Sequence, residues 1–213
     1  MHFCRKCMQE KKRDEKECKG WKENVKKFSK PLQIARIWCI ITMIASFSKE
    51  NERAVTVMTK AERLVSLLRE RGMTVTAAES CTGGLVAASI VAVSGASEVF
   101  SGSVVSYATR VKEELLGVDS ASVREYTVVS SPVARQMAEG ARRLMRADVA
   151  VSVTGLAGPS GGTEEIPVGT VFVGVSTKAG SEAFRFSFSG DRDAVRHQAV
   201  DAALDAAIAA VLQ

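Results

Sequence analysis

The chain has 213 residues, 46% hydrophobic and 25% charged, a balance that suits a globular protein able to bury a core. No apolar run reaches the roughly 18 residues of a membrane-spanning helix, and five cysteines are too sparse for a disulfide-built scaffold. The net charge of +5 is local: residues 1–57 hold 14 Lys and Arg against 7 Asp and Glu, and residues 58–213 hold 15 against 17. The larger part therefore offers no basic face to nucleic acid.

Residues 1–57 read as a basic, poorly ordered extension. Cys4 and Cys7 have the spacing with which two thiolates grip a zinc ion. Cys18, Cys39 and His2 complete a ligand set only at irregular distances, so no metal is assigned. Residues 37–47, IWCIITMIASF, form a short uncharged stretch behind a long region of mixed charge, unlike the compact basic start of a signal peptide. Met58 is a second candidate beginning, because Thr59 and Glu62 have the spacing of a capping box. The extension is read as dispensable, and the protein as cytoplasmic.

From there the elements follow in order. Leu64, Leu67 and Leu68 recur at helical spacing until Gly72, a natural stop. A strand is expected over 74–78 and a small-residue helix over 85–93. A second strand covers 103–107 and a short helix 111–116. Ser131 as N-cap and Pro132 behind it begin a helix that runs to about 146. Strands at 149–153, 168–176 and 182–189 follow, the last two able to pair as a hairpin. An Ala-rich helix over 191–212 closes the chain. This alternation predicts an α/β fold: a three-layer α/β/α sandwich with a mixed, mostly parallel sheet.

Three loops and one helix could hold chemistry. In Glu79-Ser80-Cys81-Thr82-Gly83-Gly84, a strand turns into a helix whose free amides could hold an anion. Ser80 is either an N-cap or a nucleophile whose oxyanion the amides of residues 82–84 receive. In the second loop Tyr107 and Lys112 either pack and solvate, or supply a base, since a lysine in an apolar setting can give up its proton. The third, Thr154-Gly155-Leu156-Ala157-Gly158-Pro159-Ser160-Gly161-Gly162, follows a strand. It fits neither GxGxxG nor GxxxxGK[ST], yet its amides could surround a phosphate or carboxylate. Arg192 and Arg196 share a helix face and suit a phosphate. His197 falls on the apolar stripe of that helix and is expected at the edge of the core.

Four blocks, AESCTGGL (78–85), SGSVVSYATRVKEELLGV (101–118), VTGLAGPSGGTEEIPVGTVFVG (153–174) and the Arg192/Arg196 helix, stand in an order and spacing that closely resemble the CinA C-terminal domain family, the nicotinamide-nucleotide amidohydrolases. The resemblance covers about 60–213 and looks like the stand-alone form of that domain. It implies hydrolysis of nicotinamide mononucleotide to nicotinate mononucleotide and ammonia in pyridine-nucleotide salvage, without a cofactor, by a homo-oligomer. By the same resemblance Ser80 is the nucleophile and Tyr107 and Lys112 activate it, either one as the base. Thr82, Gly83, Gly84, Thr154, Gly155, Gly158, Gly161, Gly162, Arg192 and Arg196 are implied to bind substrate. Ser103, Thr109 and Ser160 depart from the family pattern, which often has Gly, Asn and Gly there. The alternatives are a mononucleotide-binding module without activity, or a serine hydrolase of another amide.

Overall fold

Thr59 starts the first helix, α1 (Lys60–Arg71), through the capping box expected of it: its hydroxyl accepts from the Glu62 amide, and the Glu62 carboxylate accepts from the Thr59 amide at 2.7 Å. Gly72 ends the helix in the left-handed conformation. The computed structural model describes Met58–Gln213. The Cys4/Cys7 pair, the apolar stretch 37–47 and the dispensable extension fall outside the described residues.

The elements continue as β1 (Val75–Glu79), α2 (Leu85–Val91), a 3₁₀ turn (Ala96–Glu98), β2 (Phe100–Val105), α3 (Thr109–Leu116), α4 (Ser120–Tyr126), α5 (Ser131–Met145), β3 (Val149–Gly155), β4 (Thr170–Ser176), β5 (Ser181–Ser187) and α6 (Arg192–Leu212). The sheet order is β2-β1-β3-β4-β5. β1 runs parallel to β2 and β3, while β4 is antiparallel to β3 and β5. Four strands thus point one way and only β4 is reversed. Helices α1, α2 and α6 cover one face over a core of Leu64, Leu68, Val86, Ile90 and Leu204, and α3, α4 and α5 cover the other. This is the three-layer α/β/α sandwich with a mixed sheet.

Several boundaries differ from the sequence reading. β2 begins at Phe100 rather than 103, because Gly102 lies inside the strand beside an irregularity in the β1–β2 register, a position glycine tolerates. Ser131 is not the N-cap of α5. Ser130 occupies that position, its hydroxyl donates to the Thr127 carbonyl instead, and Pro132 sits in the first turn. α4 has no buried residue, so no apolar stripe announces it. Its start is held by Asp119, whose carboxylate accepts from the Ala121 amide at 2.9 Å.

Gly140, in the middle of α5, marks the tightest helix contact on that face. A Cβ there would run into the backbone carbonyl of Leu116 at the end of α3. Glycine to alanine inside a helix ordinarily stabilises by about 1 kcal/mol. Here the sign is reversed: Gly140→Ala is expected to lower the urea-unfolding free energy by about 1–3 kcal/mol, the cost of overpacking a close contact.

Candidate active site at the strand ends

β1, β2 and β3 finish together on one edge of the sheet, at Glu79, Val105 and Gly155. Ligands of open α/β sheets gather at that edge. Ser80 follows β1 directly, and its amide donates to the Val153 carbonyl at 2.9 Å. The chain then doubles back through Gly83 (φ 62) and Gly84 (φ 102). Two successive left-handed residues are readily adopted only by glycine, and they turn β1 into α2.

α3 brings Lys112 to the same place. Its aliphatic stem lies in the core, leaving the residue 2% exposed. Its Nζ lies 3.0 Å from Ser80 Oγ, and it also donates to the carbonyls of Ser106 and Tyr107. Burial holds the amine below the ordinary lysine pKa, an effect that only an ionised Cys81 would oppose. A neutral amine has two hydrogens and one lone pair. In that form the hydrogens can go to the two carbonyls and leave the lone pair for the Ser80 hydroxyl.

Cys81 is the neighbouring alternative nucleophile. Lys112, Arg192 and Arg196 all lie close enough to favour its thiolate, but burial outweighs them and pushes the thiol up to about 11. A thiol so protonated is a poor nucleophile at neutral pH. Cys81→Ala is therefore expected to retain activity within about threefold, since only the thiolate is reactive. Iodoacetamide should leave Cys81 of the native protein unmodified, as read by peptide mass.

The other residues singled out in the sequence divide. Tyr107 is 65% exposed, and its hydroxyl accepts from Arg192 at 3.4 Å. Among the described residues the phenol has no hydrogen bond to Ser80 or Lys112; only its backbone carbonyl reaches the dyad. Arg192 also donates to the Gly158 carbonyl at 2.6 Å, joining α6 to the third loop. Arg196 donates to the carbonyls of Cys81 and Thr82 and to the Asp193 carboxylate, at 3.0–3.2 Å. It therefore ties α6 to the Ser80 turn, while Arg192 stays on the exposed side. His197 is exposed, not at the core edge; its Nδ1 lies 2.8 Å from the Asp193 carbonyl one turn back.

The expected amide cradle is narrower than residues 82–84. The Gly83 amide donates to the Ser80 carbonyl, and the Gly84 amide to the Glu79 carboxylate at 2.9 Å. Thr82 is fully buried, and its hydroxyl has no partner among the described residues. In the third loop Thr154 is buried and donates to the Val128 carbonyl. Gly155, Gly158 and Gly162 are close-packing positions where a Cβ would meet Thr170, Val168 and Val168 again, while at Gly161 it would meet only the Leu156 side chain at an ordinary 3.8 Å. Ser103 lies in β2, Thr109 opens α3 and Ser160 is exposed.

The fold and the site define an α/β/α protein with a half-buried serine against a buried lysine at the carboxyl ends of its parallel strands. Residues 57–211 match the model of the CinA C-terminal domain, and the chain belongs to that family. It is 48% identical over 139 residues to a CinA-like protein of Geobacter sulfurreducens, covering 65% of this chain and 34% of that one. With a CinA-like protein of Anaeromyxobacter dehalogenans the identity is 50% over 142 residues, 67% and 35% of the two chains. The chain thus spans about a third of the length of these curated relatives. The crystal structure of the competence/damage inducible protein CihA from Agrobacterium tumefaciens superposes with a TM-score of 0.70 at 35% identity, over 72% of this chain and 94% of that one. A CinA superfamily protein from Klebsiella pneumoniae gives 0.69 at 33%, over 72% and 96%. Among the described residues no helix is long and apolar enough to cross a membrane.

Proposed function

We propose that the chain is an amidohydrolase that converts nicotinamide mononucleotide to nicotinate mononucleotide and ammonia. The observation that supports this most directly is the 3.0 Å contact between a half-buried serine hydroxyl and a buried lysine amine. Amide hydrolysis needs a nucleophile, a base and donors for the oxyanion. Ser80 Oγ attacks the carboxamide carbon as Lys112 takes its proton, forming a tetrahedral intermediate. The oxyanion is received at the turn that follows Ser80, at the N-terminal end of α2. Lys112 returns the proton to the departing nitrogen, ammonia leaves, and water then hydrolyses the Ser80 ester.

The cations favour an anionic substrate. Arg192 and Arg196 lie near Cys81, and the exposed Arg192 guanidinium suits a phosphate. Tyr107, held by Arg192 at the mouth of the site, lines the approach. In this reading the protein works as a cytoplasmic homo-oligomer without a cofactor, and residues 1–57 are dispensable for the chemistry. The test is ammonia release from nicotinamide mononucleotide by the purified full chain, with nicotinate mononucleotide identified as the co-product. Release at turnover rates supports the reading. Tight binding of the mononucleotide without release makes the protein a binding module instead.

A further inference from the structure

Glu79 is the last residue of β1, and its side chain is completely buried. A buried carboxylate is costly unless its oxygens are hydrogen-bonded. Here they accept three backbone amides from the start of α2: Gly84 at 2.9 Å and Val86 at 3.0 Å on one oxygen, and Ala87 at 2.9 Å on the other. These are the unpaired donors at the positive end of a helix, supplied with an internal anion. The main chain of Glu79 points to a second element. Its carbonyl accepts from the Ser106 amide at 2.7 Å and from the Ser106 hydroxyl at 3.4 Å. Ser106 in turn offers its own carbonyl to Lys112 Nζ. One residue thus fixes the turn that carries Ser80 and the loop that seats Lys112.

We propose that Glu79 is the positioning residue of the Ser80–Lys112 dyad, setting the hydroxyl-to-amine distance from both sides at once. This rests on the dyad assigned above but not on the identity of the substrate. Glu79→Gln keeps the shape and removes the match. Whichever way the amide turns, its NH₂ meets a backbone N–H, donor against donor. The Ser80 turn then relaxes away from Lys112, and a misplacement on the order of 1 Å costs about 100-fold in rate.

The test uses the full chain and a serine-directed fluorophosphonate. Ser80 Oγ bonds to phosphorus, fluoride leaves, and the proton passes to Lys112. Intact mass gives the fraction of molecules that react and the rate at which they do so. Unfolded molecules lower the fraction, whereas a displaced dyad lowers the rate. The expected result for Glu79→Gln is a near wild-type fraction labelled about 10- to 100-fold more slowly. Ammonia release from nicotinamide mononucleotide should lose kcat by the same factor at unchanged KM. Glu79→Asp keeps the charge but is one methylene too short for all three amides, and it should behave likewise. A slowed rate in either folded variant supports the proposal. An unchanged rate per reactive molecule, or loss of the reactive fraction in both variants, makes Glu79 a stability residue and overturns it. A wild-type protein that labels at Ser80 without releasing ammonia removes the substrate reading alone. A wild type that does not label at Ser80 removes the dyad and this proposal with it.

Discussion

Ser80→Ala is expected to lower ammonia release by about 10⁴-fold or more, the scale on which removing a covalent nucleophile acts, with little change in fold. The hydroxyl is half-buried and its hydrogen-bond partner is Lys112. No apolar contact of the core depends on it. The turn is held by the Ser80 amide, the Glu79 carboxylate and the two glycines, all of which alanine leaves in place. Steady-state ammonia release measures the first half of the expectation and thermal unfolding the second. A variant with wild-type turnover would move the nucleophile elsewhere. Cys81 is the nearest candidate, and its raised pKa argues against it.

The second large effect belongs to Lys112. Lys112→Met should lower kcat/KM by about 100-fold or more, the usual contribution of a general base. The wild-type pH profile carries the matching sign. Only the neutral amine can take the serine proton, so activity rises with pH through the lysine pKa and then levels. Burial lowers that pKa, so the rise begins at lower pH than for an exposed lysine. Stability follows the same direction. Between the lowered folded value and the ordinary unfolded value, the unfolded chain binds more protons, so stability increases with pH across that window. Methionine removes the buried amine while filling a similar volume. The variant should therefore unfold at or above the wild-type temperature at neutral pH, with a flatter pH dependence of stability. Loss of activity together with loss of fold would mean that the Nζ contacts to Ser106 and Tyr107 are structural.

What could be read from the chain beforehand was local. Thr59, Glu62 and Gly72 announce α1 because capping and termination are decided within a few residues. Asp191 opens α6 for the same reason, its carboxylate accepting from the Ala194 amide at 2.8 Å. Ser80 and Lys112 were nameable because the motif blocks stand in order; their contact spans 32 residues and needed the fold. The role of Glu79 was not legible. A carboxylate at the end of an apolar strand looks like ordinary strand-end charge until the helix after Gly84 turns its amides back onto it. His197 misled for a related reason. Its spacing to Val200 and Leu204 fits an apolar stripe, but the Asp193 carbonyl holds the ring on the exposed side. Tyr107 was expected to act through its hydroxyl, and the structure presents its carbonyl to the amine instead. Helical and strand periodicities say which face a residue occupies, not which of its atoms meets a neighbour.

The tie between α6 and the Ser80 turn has a consequence for how the protein is made. Arg196 reaches the Cys81 and Thr82 carbonyls across 115 and 114 residues of chain. On the ribosome, the serine and the lysine emerge long before the arginine that ties down the serine's turn. Contacts of such separation form late, after the loop-closure entropy between them has been overcome. A nascent chain lacking α6 would also leave the Leu64, Leu68 and Val86 face uncovered, a surface prone to association. Formation of α6 is therefore the step that covers this face and adds the Arg196 clamp to a turn that the Glu79 carboxylate already holds.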